Sequence, residues 1–462
     1  MNIVFVSTEC YPFANASSLG NIVYGIAKEL ESAGHNVKIF LPRYGSIDPT
    51  TFNIERISID FKISLGFNTS LIPVSIFKGI LPNTFISVFF VESQVHFSNS
   101  KEIYPSALPT NEPNIRNHFF SHAVAESMIK LNISPDIIHI FDPSISSLSK
   151  LVASKVKGSN KTKIFCTLSS LCNLISNDLT RKSFQDSLEL FNKLILPSEG
   201  FKQELESDFY NLRLLAPSNQ RNNLVSILHG VDSDLFNPEK DAEIAQNYSK
   251  NYFSAGKKKC REDLCETFEI DSSAQFPLFC SFLERDFEIS VELIKNICSE
   301  INNINGLLLL FSEENKLKDL VNHTAQFKNI KIVTAPPSPT ILKKAFSGCD
   351  FYISSSLTNA DGNLLLTSMY YGCIPISFYS GGAKDVITDE ENGFIFKSVS
   401  RESVFEALIR AINSYKNKDK WTRIVKQAMG VEINDSNVAK KYINCYEIAT
   451  PGLFSSELSR AK

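Results

Sequence analysis

Two adjacent glycines, Gly381 and Gly382, stand between the apolar run Ile374–Phe378 and the helical start Ala383-Lys384-Asp385-Val386. Such a pair can present backbone N–H groups to an anion, typically a phosphate, at the positive end of a helix. It can equally form a tight strand-to-helix turn. The sequence leaves both readings open. A second stretch of this kind, Asn15, Ser17, Ser18, Leu19, Gly20 and Asn21, follows the first apolar run, Ile3–Ser7. Ser17 or Ser18 reads there as a helix N-cap, whose hydroxyl accepts from an N–H of the first turn. Asp142 falls at the carboxyl end of a third run, Asp136–Phe141. His139, inside that run, reads as a core histidine with its ring nitrogens satisfied. The ten cysteines are scattered, none in C-x-x-C spacing and none with histidines at zinc-ligand spacing. They read as buried thiols of a cytoplasmic protein, and no metal is expected.

The elements that must hold these residues alternate. Strand-like runs are Ile3–Ser7, Val37–Leu41, Asp136–Phe141, Lys163–Leu168, Leu194–Pro197 and Leu224–Leu228. Between the first two, Ile22, Val23, Ile26, Ala27 and Leu30 recur at three and four, the period of a helix, and Gly34 follows as its C-terminal cap. Strand, helix and strand repeated in this way predict a parallel sheet covered on both faces. From about 234 to 268 the chain is charged and reads as an interdomain segment, with Lys257, Lys258 and Lys259 as a solvated face. A second series follows: Leu278–Leu283, Gly306–Phe311, Ile330–Thr334, Asp350–Ser354, Ile374–Phe378 and Gly393–Lys397. The fold class is therefore α/β, with two doubly wound, Rossmann-like domains facing a central cleft. Ligands in such sheets bind beyond the carboxyl ends of the strands.

Composition agrees with two soluble domains. The 462 residues exceed one ordinary core, 43% are hydrophobic, and the net charge is -3. That charge points to no nucleic-acid partner. No run is long enough to span a bilayer, and the opening MNIVFVSTEC lacks a basic region and is interrupted by Glu9, so it reads as a strand and not as a signal peptide.

Several segments, in order, resemble the glycogen/starch synthase family. Phe5-Val6-Ser7-Thr8-Glu9-Cys10-Tyr11-Pro12-Phe13-Ala14 is similar to the family's FVSxExxPFAK. His35-Asn36-Val37 and Leu41-Pro42-Arg43-Tyr44-Gly45 resemble GHxV and LPRYG, and Pro135-Asp136-Ile137-Ile138-His139 with Asp142 resembles PDxxHxHDW. His229-Gly230-Val231-Asp232 through Phe236-Asn237-Pro238 resembles NGIDxxxWNP, and Gly381-Gly382-Ala383-Lys384-Asp385-Val386 resembles GGLADTV. The resemblance spans nearly the whole chain. It implies a GT-B fold with residues 1–235 as the N-terminal, acceptor-binding domain, 236–435 as the C-terminal, nucleotide-sugar domain, and 436–462 as a closing helix and tail that packs back on the N-terminal domain. It implies a retaining glucosyltransferase that moves glucose from ADP-glucose, or another nucleotide sugar, to an α-1,4-glucan, without a metal or other cofactor.

The charged positions of that pattern are replaced. The family places an Arg, and a Lys five residues later, after the first strand of the second domain, to hold the departing diphosphate. Aligned from Pro277-Leu278-Phe279, this chain has Glu284 and Ile289 there, and a one-residue slip recruits Arg285 but not a Lys. Two like charges about 4 Å apart repel by roughly 4 kcal/mol at an effective dielectric of 20. Loss of one preorganised stabiliser costs about 100- to 1,000-fold in rate. The family's Glu over the donor sugar is Asn359, followed by Asp361 and Gly362. Its N-terminal lysine is Asn15, and two of its loop glycines are Ser17 and Ser18, with Gly20 after them. Its sugar-pocket histidines are Phe141 and Ser169, which leaves Asp142 as the acceptor-side candidate. The resemblance thus implies a catalytically impaired homologue that binds glucan, nucleotide or an active synthase relative. The alternatives are a working transferase that uses Arg285, Lys384 and Asp361 from shifted positions, and a protein-interaction module. Glu284→Arg with Ile289→Lys is expected to raise the affinity for ADP in a calorimetric titration; an unchanged affinity would reject the alignment or an open pocket.

Overall fold

A computed structural model describes residues 1–65, 71–104, 112–156, 161–168, 174, 177–208, 223–232, 235–271, 276–283, 287–312, 324, 327–335, 338–433 and 435–451, with the backbone alone at 112–114, 287–290 and 435. The chain divides into two compact units. The first runs to Pro197, resumes over Lys202–His229 and includes the helix Asp435–Ala449; the second comprises Ser198–Phe201 and Gly230–Ile433.

In the first unit nine strands form one sheet: β1 (Asn2–Val6), β2 (Asn36–Pro42), β3 (Glu55–Ile63), β4 (Ile72–Ile80), β5 (Ser87–Glu92), β6 (Ile137–Ile140), β7 (Lys163–Thr167), β8 (Lys193–Leu196) and β9 (Leu224–Ser226). Their order is β3-β4-β5-β2-β1-β6-β7-β8-β9. From β5 to β9 neighbours run parallel, whereas β3, β4 and β5 form an antiparallel meander. The central strands are mostly apolar, and β1 is covered on both faces at Ile3-Val4-Phe5-Val6. The helix Ser18–Ser32 buries Leu19, Ile22, Val23, Ile26, Ala27 and Leu30 against this sheet. It ends at Gly34, whose positive φ of 86° lets His35 N–H donate to Leu30 and Gly34 N–H to Glu31.

The second unit holds six parallel strands: β10 (Leu278–Phe282), β11 (Leu307–Ser312), β12 (Ile330–Thr334), β13 (Phe351–Ile353), β14 (Ile374–Phe378) and β15 (Phe394–Phe396). Their order, β12-β11-β10-β13-β14-β15, is that of a Rossmann sheet. The chain reverses direction across the sheet between β10 and β13, and in the first unit between β1 and β6. Lys257 does not lie on the solvated face expected for its run. Its ammonium donates to the carbonyls of Phe346, Cys349 and Tyr371 at 2.9–3.0 Å, acceptors at helix ends, of which Tyr371 also accepts from Tyr248 Oη at 2.8 Å.

The helix Asp435–Ala449 returns to the first unit through two histidines. His139 Nδ1 lies 2.6 Å from Tyr446 Oη, and its Nε2 lies 2.7 Å from Thr167 Oγ1. The ring stacks on Phe141 at 4.1 Å between centres. His229 Nε2 lies 2.6 Å from Tyr442 Oη. Burial holds His139 well below the ordinary value of 6.5, with the neighbouring His229 adding to the effect, and burial alone holds His229 at about 4. Unfolded, both rings take protons near 6.5; folded, they refuse them. Their contribution to stability is therefore full above pH 6.5 and is lost as pH falls towards 4, by on the order of 3 kcal/mol for His229. Urea midpoints should fall over that window, and His229→Gln should flatten the fall; a wild-type midpoint unchanged between pH 7 and 4.5 would reject this account.

Candidate functional site

Val6 of β1 pairs with Ile140 of β6, so the loops leaving these two strands start side by side. Glu9 lies in the first of them and is fully buried. Its Oε2 accepts from the backbone N–H groups of Ala16 at 2.6 Å and Ser17 at 2.8 Å, and its Oε1 from Ser17 Oγ at 2.8 Å and Tyr104 Oη at 2.7 Å. Four donors thus converge on one carboxylate. Tyr104 Oη lies 3.2 Å from Thr8 Oγ1, and Thr8 donates to Asp142 Oδ2 at 3.0 Å. Asp142 Oδ1 accepts from Ser144 N–H at 2.8 Å and caps the turn Pro143–Ile145. Tyr44 Oη donates to the Thr8 carbonyl at 3.0 Å. Two hydrogen bonds, Tyr104 to Glu9 and Thr8 to Asp142, with the Tyr104 and Thr8 hydroxyls side by side between them, tie together the ends of β1 and β6 and the segment carrying Tyr104.

Of the residues singled out in the sequence, Ser17 is the N-cap of Ser18–Ser32, accepting from Leu19 N–H, and Ser18 is the first helical residue. Asn15 folds back over the helix start: a Cβ at Gly20 would fall 2.4 Å from Asn15 Oδ1 and 2.9 Å from the Ala14 carbonyl. Only glycine fits there. Phe141 is a core aromatic, 4.6 Å from Phe5 between ring centres and stacked on His139. Ser169 lies outside the described residues.

In the second unit the loop leaving β13 closes on the loop leaving β14. Asn359, at a φ of 33°, accepts from Ser354 Oγ at 2.9 Å and donates to the Ser356 carbonyl and Ser377 Oγ, both at 3.0 Å. Both ends of its amide are committed. Asp361 Oδ1 accepts from Asn363 N–H at 3.0 Å, and Gly362, at a φ of 63°, precedes the helix Asn363–Tyr370. Gly382 N–H donates to the Asn359 carbonyl at 2.7 Å. A Cβ on Gly381 would lie 2.4 Å from the Thr358 carbonyl, and one on Gly382 would lie 2.6 Å from Gly362 N. The two loops meet backbone to backbone. The N–H groups of Ala383, Lys384 and Asp385 turn back to Ser380, Gly381 and Gly382 in a single helical turn. The Asp385 carboxylate accepts from Glu199 N–H at 3.2 Å and Gly200 N–H at 2.9 Å, and burial raises its pKa above the ordinary range. Glu284 and Arg285 lie outside the described residues, and of Ile289 only the backbone is described, within the helix Phe287–Asn303.

The sequence drew attention to Asp142 and to the serine loop, but not to their link. Thr8, Glu9 and Tyr104 carry that link. An acid placed directly after a wholly apolar strand was the available signal for Glu9; nothing around Tyr104 marks it. Among the described residues no three His, Cys, Asp or Glu side chains are grouped to hold a metal ion, and no helix is long and apolar enough to cross a membrane.

Comparison with known proteins follows the division into units. Residues 2–173 match the family profile of the starch synthase catalytic domain, and residues 285–428 that of glycosyl transferases group 1. A glycogen synthase of Thermodesulfovibrio yellowstonii is 27% identical, covering 96% of this chain and 97% of its own. A glycogen synthase of Clostridioides difficile is 23% identical, over 96% and 99%. Among solved structures, the catalytic domain of starch synthase IV from Arabidopsis thaliana, bound to ADP and acarbose, superposes with a TM-score of 0.84 at 20% identity, covering 98% of this chain and 99% of that one. Sucrose-phosphate synthase from Thermosynechococcus elongatus follows at 0.63 and 14%, with full coverage of both chains.

The Glu9 network makes a testable demand. Glu9→Ala removes the acceptor of four donors within a buried site and should destabilise the protein by on the order of 3 kcal/mol, whereas Glu9→Gln, which leaves one oxygen, should cost less. Urea denaturation measures both; a Glu9→Ala midpoint equal to wild type would reject the clasp.

Proposed function

Because the chain belongs to the glycogen/starch synthase family of GT-B glycosyltransferases, we propose that it acts as a synthase homologue of reduced or absent transferase activity that binds glucan and nucleotide. The observation that carries this reading is the state of Asn359. Where the family has a carboxylate facing the donor sugar, this chain has an amide held by Ser354, Ser356 and Ser377. It has no acid to offer, and its Oδ1 and Nδ2 already have partners within the loops. The substitutions at Glu284 and Ile289 support the same reading from the sequence, since a leaving diphosphate is stabilised by preorganised cations. The N–H groups of Ala16 and Ser17, next to Asn15, are already taken by Glu9, so that loop has less to give to a phosphate.

The ligands in this proposal are an α-glucan and ADP-glucose or another nucleotide sugar, and the structural relative carrying ADP and acarbose names the probes to use. An active synthase is the proposed protein partner. A cytoplasmic location belongs to the same proposal, supported by the free thiols of the nine described cysteines.

Incubated with ADP-glucose or UDP-glucose and glycogen, the purified protein should release nucleoside diphosphate far more slowly than about 1 per second, an ordinary enzyme rate, and should co-sediment with glycogen. Turnover at the ordinary rate would overturn the impairment, and absence from the glycogen pellet would overturn glucan binding.

A further inference from the structure

The helix Arg401–Lys416 turns one face, Val404, Ala407, Leu408, Ala411 and Ile412, into the second unit. Its other face is a stripe of six residues: Glu402, Phe405, Glu406, Ile409, Asn413 and Lys416. At about 100° per residue, these six fall within roughly 100° of the helix circumference. Phe405 is 39% exposed, Ile409 is half-buried, and the four polar residues are exposed. Charge is segregated along the stripe: the two acids are at its amino end, the lysine is at its carboxyl end, and Ile409 lies midway. Glu402 and Lys416 are about 21 Å apart along the axis, and Glu406 and Lys416 about 15 Å, so the two ends cannot pair within the helix. The neighbouring arginines are engaged elsewhere. Arg410 turns to Asp389, Glu390 and the Ile395 carbonyl, and Arg401 pairs with Glu300.

We propose that this stripe docks on the same stripe of a second copy of the chain, with the two helices antiparallel across a two-fold axis at Ile409. Ile409 is equally far in sequence from Glu402 and from Lys416. A two-fold axis there sets each Glu402 level with the partner's Lys416 and each Phe405 level with the partner's Asn413, and it brings the two Ile409 side chains together. One surface thus supplies both halves of the contact, as an isologous interface requires. Charge fixes the direction, because parallel helices would set Glu402 against Glu402 and Lys416 against Lys416. The seven-residue spacing of Glu402, Ile409 and Lys416 keeps the stripe on one side while two helices cross at a shallow angle of about 20°. The placing of opposite charges at equal distances from an apolar midpoint is what singles out a second copy over an unrelated partner. Two helices about 24 Å long bury an area at the low end of specific interfaces, so the association is weak and concentration-dependent. The inference goes beyond the transferase reading and does not rest on it, since the helix carries none of the residues of the candidate site.

Sedimentation velocity of the full chain from about 1 to about 200 μM, a span suited to weak association, tests this. Wild type should shift from monomer towards dimer as concentration rises, and less so as salt is raised. Glu402→Lys and Lys416→Glu, each alone, set like charges level at both ends of the helix pair and should weaken the dimer about tenfold or more. Mixed in equal amounts, the two variants should associate with each other as wild type does, because each then meets opposite charge at both ends. The double variant Glu402→Lys, Lys416→Glu should recover dimerisation for the same reason. Both positions are exposed, and cooperative urea unfolding shows that each variant folds. A wild type that stays monomeric throughout would overturn the proposal without recourse to any variant. Dimers that ignore either single substitution would overturn it as well, because another surface would then hold them. Single variants that fail to associate on mixing would do the same.

Discussion

A carboxylate withdrawn from water must be given hydrogen bonds in place of those it loses, and in the first unit that requirement falls on Glu9. Its two oxygens take two backbone N–H groups and two hydroxyls. The donors come from Ala16 and Ser17, just before the helix Ser18–Ser32, and from Tyr104, whose hydroxyl lies against that of Thr8, itself the donor to Asp142. A negative charge next to a helix N-terminus is favourable in itself. The consequence is that the chain's own acid sits just ahead of the positive end of this helix. Asn15 and Ser17 therefore stand in a loop that is closed on itself, and Asp142, which the sequence singles out at the end of β6, is a member of that closure as well as a cap.

The second unit reaches a similar closure with neutral groups. The loops after β13 and β14 approach so closely that Gly381 and Gly382 have no room for a Cβ. At that distance polar groups need partners, and those of Gly382 and Asn359 are internal: Gly382 N–H to the Asn359 carbonyl, and the Asn359 amide to Ser354, Ser356 and Ser377. The Nδ2 of Asn359 faces two oxygens. A carboxylate oxygen at that atom would face the Ser356 carbonyl with no proton between them, so an amide suits this loop and an acid does not.

Much of this frame is legible in the sequence because its strands are short, mostly apolar and separated by helical periodicity. Twelve of the parallel strands are readable to within a residue or two on that basis. The exception is the parallel strand β5, which lies with β3 and β4 in the stretch that escapes such a reading. Residues Glu55–Ile63 alternate Ile57, Ile59, Phe61 and Ile63 with charged or polar neighbours, and their burial alternates likewise. That is the pattern of a half-exposed strand, diluted by Glu55, Arg56, Asp60 and Lys62. Lys257 misleads for a different reason. Its place in a run of three lysines suggests a solvated face, and only the fold brings the carbonyls of Phe346, Cys349 and Tyr371 to it. The site is less legible than the fold, because its hydrogen bonds join residues about 95 and 134 positions apart, and no local pattern encodes a partner at that separation.

A frame and a transfer site make opposite demands on charge. The frame is stable when each donor already has its acceptor, since an unpaired buried group costs free energy. Transfer of a sugar from a diphosphate requires cations that wait, unmatched by the protein, for charge that appears only in the transition state. In the described loops after β1, β6, β13 and β14 the first demand is met at Glu9, Asp142 and Asn359, and left unmet at the buried Asn15 Oδ1, Ser146 Oγ and Ser380 Oγ. Loops that have taken their own acids and amides as partners serve the frame first, and whatever meets a ligand's charge must be drawn from side chains outside that closure.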